Sequence, residues 1–287
     1  LTIEPLEDEA GDILRKARRG QHMAVPDVAR RAGLAVERLE ALERLASPPS
    51  EAESLSLASV LGLDRAKLAR IAAGGYHPRS VGDRIGSMHV RRLVVRQPDG
   101  WTSNCYLVGF HGGEEAIVVD PGAEPERILA ELDRLRWRPR YIALTHGHYD
   151  HVGGLGPIHD EWAVSVLMGR GDLDMLSPLP ERLHVVTDGE QLSINGVKLE
   201  ARLTPGHTAG GVSFRLDSCC FVGDALFAGS LGNANVPVDG YRQLRSSVWR
   251  QVLQLDPGDV LFPGHGPATT VGEERAANPF FPESFAP

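Results

Sequence analysis

Cysteine is scarce: the chain has three, Cys105, Cys219 and Cys220. An odd number of thiols in a chain of this length builds no disulfide framework, and neighbours such as Cys219 and Cys220 are poor partners for each other. Long apolar runs are missing as well. Those present, such as Ala116-Ile117-Val118-Val119, are strand-sized and far short of the roughly 20 apolar residues that a membrane-crossing helix needs. This excludes a helical span, and with so few thiols a reducing, cytoplasmic setting is the expectation. The chain opens at Leu1 without the charged-then-apolar pattern of a secretory leader, which points the same way. Positive charge is also in short supply. Thirty Lys and Arg against 38 Asp and Glu leave a net charge of −8, so nothing draws the chain in general to nucleic acid or anionic lipid. Binding to a polyanion needs a local basic patch.

What is present falls into two parts. From about Gly11 to Ala73 apolar residues recur at helical spacing, as in Ile13-Leu14-Ala17, Val25-Val28-Ala29-Ala32 and Leu39-Leu42-Leu45, with breaks at Gly20, Gly33, Pro48-Pro49 and Gly62. The pattern predicts four or five short helices. Val25 to Leu45 reads as helix, tight turn at Ala32-Gly33-Leu34, and helix. With its flanks it resembles the Cro/repressor-type helix-turn-helix family over about 60 residues, which implies a DNA-binding regulator. The charges point elsewhere: the helix that would enter the groove, Val36 to Leu45, carries Glu37, Glu40 and Glu43 against Arg38 and Arg44, and phosphate repels such a face. Arg15, Lys16, Arg18 and Arg19 fit a backbone contact or a solvated helix face equally. A packing or dimerisation module, giving a homo-oligomer through this segment, is therefore expected ahead of nucleic-acid binding.

Between Ala72 and Met88 both periodicities vanish in a glycine-rich stretch containing Pro78. The boundary placed there separates a small all-α helical domain, 1–76, from a second domain, 77–287. The second domain has strand-like stretches at 90–95, 104–110, 116–119, 141–145, 164–168, 197–203, 212–216 and 260–262, with helical ones at 124–136 and 241–255. The class is α+β. The three cysteines lie in strand-like stretches, where small buried hydrophobes are the expectation. Tyr149 and Tyr241 are expected in aromatic packing.

The densest chemistry is Thr145-His-Gly-His-Tyr-Asp-His-Val-Gly-Gly154. In an extended segment His146 and His148 project from one side, and the turn allowed by Gly153-Gly154 brings Asp150 and His151 round beside them. Neutral imidazoles and ionised carboxylates are ligands for zinc or iron. Three more residues follow strand-like runs and touch glycine: His207 in T-P-G-H-T, Asp224 in F-V-G-D-A, and His265 in F-P-G-H-G. Each alone reads as a turn residue; with the first cluster they complete a ligand set presented on loops at strand ends.

On these motifs residues 88–287 resemble the metallo-β-lactamase superfamily of hydrolases. The resemblance implies a four-layer αββα sandwich and two divalent metal ions, zinc in the first place with iron or manganese as alternatives. It puts His146, His148 and His207 on one ion and Asp150, His151 and His265 on the other, with Asp224 bridging. Asp120, in V-V-D-P-G, matches the family's first acidic motif, which supports the ligands from behind; an aspartate opening the turn at Pro121-Gly122 is the alternative. A water shared by two such ions loses a proton near neutrality and attacks a carbonyl as hydroxide. Asp150 is the candidate to orient it and pass on its proton, and Asp224 the carboxylate tying both ions together.

Within the superfamily, T-S-N-C-Y-L-V at 102–108, G-D-A-L-F-A-G-S-L-G at 223–232 and P-G-H-G-P-A-T-T-V-G-E-E-R-A-A-N-P-F at 263–280 resemble the glyoxalase II-type branch. That implies cleavage of a thioester such as S-lactoylglutathione. One departure stands out: Asn233 and Asn235 occupy places where that branch carries a base and, commonly, an acid. A missing base removes a charge-assisted bond to a glutathione carboxylate, for which Arg242, Arg245 or Arg275 are the candidate replacements. Two other readings stay open. Persulfide dioxygenases share the fold with one iron, on a set matching His146, His207 and Asp224; a DNA-binding regulator with a metallo-domain sensor is the non-enzymatic alternative.

Overall fold

The structure, a computed structural model, describes residues 4–286. Five helices open it, as the apolar spacing predicts: α1 (Ala10–Gly20), α2 (Val25–Ala32), α3 (Val36–Glu43), α4 (Glu51–Leu61) and α5 (Arg65–Ala72). Local chemistry sets their starts. At α4 the Ser50 hydroxyl accepts from Glu53 N at 3.3 Å while the Glu53 carboxylate accepts from Ser50 N at 2.7 Å, a reciprocal cap. Helices α2 and α3 are joined at Gly33, which takes φ +72, and the bases on and just after α3 are engaged by acids. Arg38 is bound by Glu53 at 2.7 Å, Arg44 lies 3.4 Å from Glu40, and on α1 Arg18 makes a two-pronged pair with Glu43, both contacts at 2.6 Å. Glu37 is exposed.

Two sheets follow. The first contains β1 (Arg84–Ile85), β2 (Met88–Arg96), β3 (Thr102–Phe110), β4 (Glu115–Val119), β5 (Arg138–Ala143), β6 (Ser165–Gly169) and β7 (Leu183–Val186), hydrogen-bonded in sequence order. It is antiparallel up to β4 and parallel from β4 to β7. Helices α6 (Pro125–Leu135), α7 (Tyr149–Val152) and α8 (Leu155–Trp162) supply its crossovers. The second sheet uses β8 (Gln191–Ile194), β9 (Val197–Leu203), β10 (Val212–Leu216), β11 (Cys219–Gly223), β14 (Val260–Pro263) and β15 (Thr269–Thr270), in the order β15-β14-β11-β10-β9-β8. A hairpin, β12 (Leu226–Phe227) and β13 (Ser230–Leu231), stands apart, and α9 (Gly240–Gln251) and α10 (Val271–Ala277) complete the chain. Strands β7 and β8 and helices α8 and α10 are additions to the elements expected from the sequence. They are short, four to eight residues, and periodicity gives little signal over such lengths.

Strand alternation builds the layers. Tyr106, Val108 and Phe110 of β3 face inward to meet Phe214 and Phe221 of the second sheet. Cys105 and Leu107 point the other way, onto Ile128 of α6 and Ile158 of α8. The outer face of the second sheet, with Cys220, Val222 and Leu261, is covered by Leu244 and Val248 of α9. Helix, sheet, sheet and helix thus stack as an αββα sandwich. The N-terminal helices do not close a core of their own. Ile13, Leu14, Leu39, Leu57 and Leu68 belong to the same apolar cluster as α9, the hairpin residues Leu226 and Leu231, and Phe280 and Phe281. All three cysteines are buried, and burial pushes their thiols well above the ordinary range, so they serve as packing groups.

One buried acid ties these parts together. Glu274 of α10 is fully buried; its carboxylate accepts from Tyr76 Oη at 2.7 Å, Asn278 Nδ2 at 2.8 Å, Thr269 Oγ1 at 2.9 Å and Gly229 N at 3.0 Å. Burial raises its pKa from 4.5 to about 7 despite these donors. Between those two values the folded chain keeps a proton that the unfolded chain has released, so stability falls as pH rises through that window. A Glu274→Gln protein is expected to lose this slope; urea titrations at pH 5 and pH 7.5 would show the two midpoints converging, and an unchanged separation would contradict the assignment.

Candidate metal centre

The strands deliver their ligands at C-terminal ends. Asp120 follows β4, His146 lies just beyond β5, His207 follows β9, Asp224 follows β11 and His265 follows β14. Because β4 runs parallel to β5 and β11 parallel to β14, these ends open on one edge of the sandwich, where loops meet without leaving sheet hydrogen bonds unpaired. His148 caps the four-residue helix α7, which carries Asp150 and His151.

The side chains named from the sequence come together. His146, His148 and His207 offer donor atoms within 4.8 Å of one another, and Asp150, His151 and His265 do the same. Asp224 faces both groups: its oxygens lie 3.5 Å from His207 Nε2, 3.5 Å from His151 Nε2 and 3.4 Å from His265 Nε2. His207 Nδ1 donates to the Asn233 carbonyl at 2.7 Å and His265 Nδ1 to the Thr102 carbonyl at 2.8 Å. Each ring is thereby fixed with Nε2 directed inward. Buried His146 Nε2 and Asp224 Oδ1 have no hydrogen-bond partner. Orphaned buried donors of this kind are costly in a plain polar turn and are what a cation site requires, so this donor set fits two divalent ions.

Electrostatics says the same. Burial and neighbouring His151 hold His146 well below the usual imidazole range, and burial lowers His207 to about 4. Burial also opposes charge on His265, but the Asp224 and Asp150 carboxylates outweigh it and raise its pKa to about 11. Asp224 is desolvated too, and the His265 and His151 charges still hold it well below the carboxylate range. The cage therefore keeps its acids ionised and offsets them with protons on histidine, places that metal cations would take over.

A third grouping, Asp120 with His146 and His151, has a different character. Asp120 accepts from Thr145 N at 2.7 Å, Thr145 Oγ1 at 2.6 Å and His151 Nδ1 at 3.1 Å, so its oxygens orient the ligands. Of its two sequence readings, support from behind is the one this geometry fits. Reasoning from sequence missed Asp172. Buried in the 3-10 turn after β6, it accepts from Gly147 N at 3.0 Å, Thr208 Oγ1 at 2.7 Å and Gly210 N at 2.6 Å. It fastens the His146–His148 loop to the His207 loop, and an aspartate in R-G-D-L-D carries no motif that could have revealed it. Ser103 was missed likewise; its hydroxyl donates to the Asp150 carbonyl at 2.5 Å. Gly122 allows the same close approach, because a Cβ there would collide with that carbonyl.

Tyr149 corrects its expected place in aromatic packing. It is 56 % exposed beside the cluster, its hydroxyl donating to Asp99 at 2.8 Å, while Tyr241 is buried as expected. Two of the three candidate replacement bases are engaged, Arg242 with Asp239 at 2.9 Å and Arg245 with the Phe280 carbonyl at 2.6 Å, while Arg275 is exposed on α10.

Comparison with known proteins agrees with this geometry. The family model for the metallo-beta-lactamase superfamily matches residues 98–265, a span that holds all seven ligand candidates and leaves α1–α5 outside. Hydroxyacylglutathione hydrolase GloC of Haemophilus influenzae is 31% identical over 196 residues, 62% of this chain and 92% of that protein. The probable polyketide biosynthesis zinc-dependent hydrolase PksB of Bacillus subtilis is 31% identical over 166 residues, 58% of this chain and 74% of its own. Among solved structures, a di-iron-bound form of TTHA1623 aligns with a TM-score of 0.58 and 31% identity, covering 67% of this chain and all of the other.

Proposed function

The chain belongs to the metallo-beta-lactamase superfamily, and from that premise we propose that it is a two-metal hydrolase cleaving a small-molecule thioester or related ester. The observation that carries this reading is Asp224, whose carboxylate stands within 3.5 Å of histidines from both ligand groups. His146, His148 and His207 would hold one ion, and Asp150, His151 and His265 the other, with Asp224 shared. Bound there, divalent cations supply Lewis acidity, lowering the pKa of water and offsetting charge that builds on a carbonyl oxygen.

The chain's own groups do the rest. Asp120 and the Asn233 and Thr102 carbonyls fix the tautomers of His151, His207 and His265, so the ligands need no reorganisation. Asp150 has a side chain 15% exposed, more open than Asp224 at 9%; its carboxylate is the group placed to orient an entering water and take up its proton. Acidic partners occupy the bases of α3 and its neighbour Arg18, so in this reading the helical segment packs against the catalytic sandwich, and nucleic acid is no partner. GloC supports a thioester as the substrate class, while PksB points to zinc and TTHA1623 to iron as the metal.

Elemental analysis of the purified protein, combined with a panel of thioesters and lactones, tests the proposal. Two zinc ions per chain and release of a free thiol are expected. One iron per chain with oxygen uptake on glutathione persulfide would replace the hydrolase reading with a dioxygenase.

A further inference from the structure

The segment preceding α1 forms part of the rim of the metal-ligand cluster. Glu7 lies over the residue that follows His265: its Cβ and N are 3.0 and 3.1 Å from where a Cβ on Gly266 would sit, at φ +69. A side chain at 266 would be both strained and blocked. Two clamps hold the segment there. Arg92 donates to the Gly266 carbonyl at 2.9 Å and to Glu4 at 2.7 Å. Lys16, buried on α1, pairs with Asp8 at 2.5 Å and donates to the Leu231 carbonyl at 2.8 Å. Its ammonium also lies 4.7 Å from the centre of the Phe227 ring, which meets His265 edge-on at 5.7 Å.

These clamps leave the rim with an unbalanced charge. Lys16 and Arg92 are neutralised by Asp8 and Glu4. Glu7 is exposed and, among the described residues, has no ion-pair partner within 4 Å. Its carboxyl is nevertheless raised by desolvation, and His265 and Asp224 are among the charges that act on it. Across the rim, the loop whose Asn233 carbonyl holds His207 carries exposed Asn233 and Asn235, both neutral. An anionic thiol arriving beside Glu7 meets its carboxylate, and on the Asn233 loop it meets two neutral amides.

We propose that Glu7 is a specificity-determining residue, placing a negative charge at the mouth of the cluster that selects for thioesters of neutral thiols and against those whose thiol carries carboxylates. This rests on the hydrolase reading above. A unit charge at a partly solvated rim changes an equilibrium constant by about fivefold to tenfold, less as salt is added.

The test uses the full-length, metal-loaded protein and two thioesters of one acyl group, with N-acetylcysteamine and with glutathione as the thiol. Wild type is expected to favour the neutral thioester. Glu7→Gln should narrow the gap in kcat/KM about fivefold through KM, and Glu7→Lys further, with the neutral thioester changed less than about twofold. Calorimetric binding of glutathione itself provides a second readout, expected to tighten about fivefold in Glu7→Lys. Ratios and glutathione Kd unchanged in both variants would overturn the inference. Should wild type cleave neither thioester, the hydrolase reading falls, and glutathione binding alone then decides the role of Glu7. The isosteric Glu7→Gln protein keeps the test open if the lysine variant folds poorly.

Discussion

Replacing Asp224 by alanine is expected to lower turnover by at least about a thousandfold and to strip the protein of most of its metal. The expectation follows from where this carboxylate stands. Its two oxygens face His151, His207 and His265, drawn from three separate loops, so that it meets histidines of both ligand triads. Without it, five imidazoles and the single carboxylate of Asp150 would have to hold two dications, and mutual repulsion between the ions would go unanswered. The residue is also the charge that counters protonated His265 in the ion-free cage. Metal content by elemental analysis and turnover on a thioester would be measured on the same preparation. Asp224→Ala protein that retains both ions, or works without them, would remove the basis for the mechanism.

A smaller but distinct loss is expected from Asp120→Asn: about ten- to a hundredfold in metal affinity or activity, the range seen when the partner of a ligating histidine is altered. An amide of the same shape keeps one acceptor oxygen. It presents an NH2 to a site where Thr145 N, Thr145 Oγ1 and His151 Nδ1 all converge as donors. At least one of them faces another donor, and His151 loses the carboxylate that fixes its ring and raises its basicity. The fold should survive, because the sheets do not depend on this group. Zinc affinity by chelator competition, alongside circular dichroism, separates the two effects; unaltered affinity in a folded variant would assign Asp120 to the turn and nothing more.

The convergence of the candidate ligands was legible in the sequence because their chemistry is concentrated. His146 to His151 lie within six positions, and His207, Asp224 and His265 each follow an apolar run and a glycine, a pattern that reports strand, turn and exposed side chain together. The αββα order came with the resemblance that these motifs carry; periodicity alone placed the chain in the α+β class. What could not be read was anything fixed only by pairing across the molecule. Asp172 and Ser103 act through hydrogen bonds to loops 25 to 47 residues away, and a single aspartate or serine gives no local sign of such a bond. Glu7 escaped notice likewise, and Lys16, read as a backbone contact or a solvated helix face, is buried against Asp8. In sequence they belong to a charged helical start; only the packing of α1 against the hairpin carrying Phe227 and Leu231 puts them beside His265. The resemblance of α2 and α3 to a helix-turn-helix has no counterpart in the matched family span, and the acids that occupy Arg18 and Arg38 come from other helices, visible only in the tertiary structure.

The apolar cluster that runs from α1–α5 into α9 and the back of the second sheet bears on how this architecture can be inherited. Such a front end is not a detachable passenger: a descendant that lost it would bare a greasy sheet face and a hairpin with nothing to lean on, and one that swapped it would have to rebuild the catalytic mouth as well. The family model stops short of these helices, so members of the superfamily that lack them must cover that sheet face by other means.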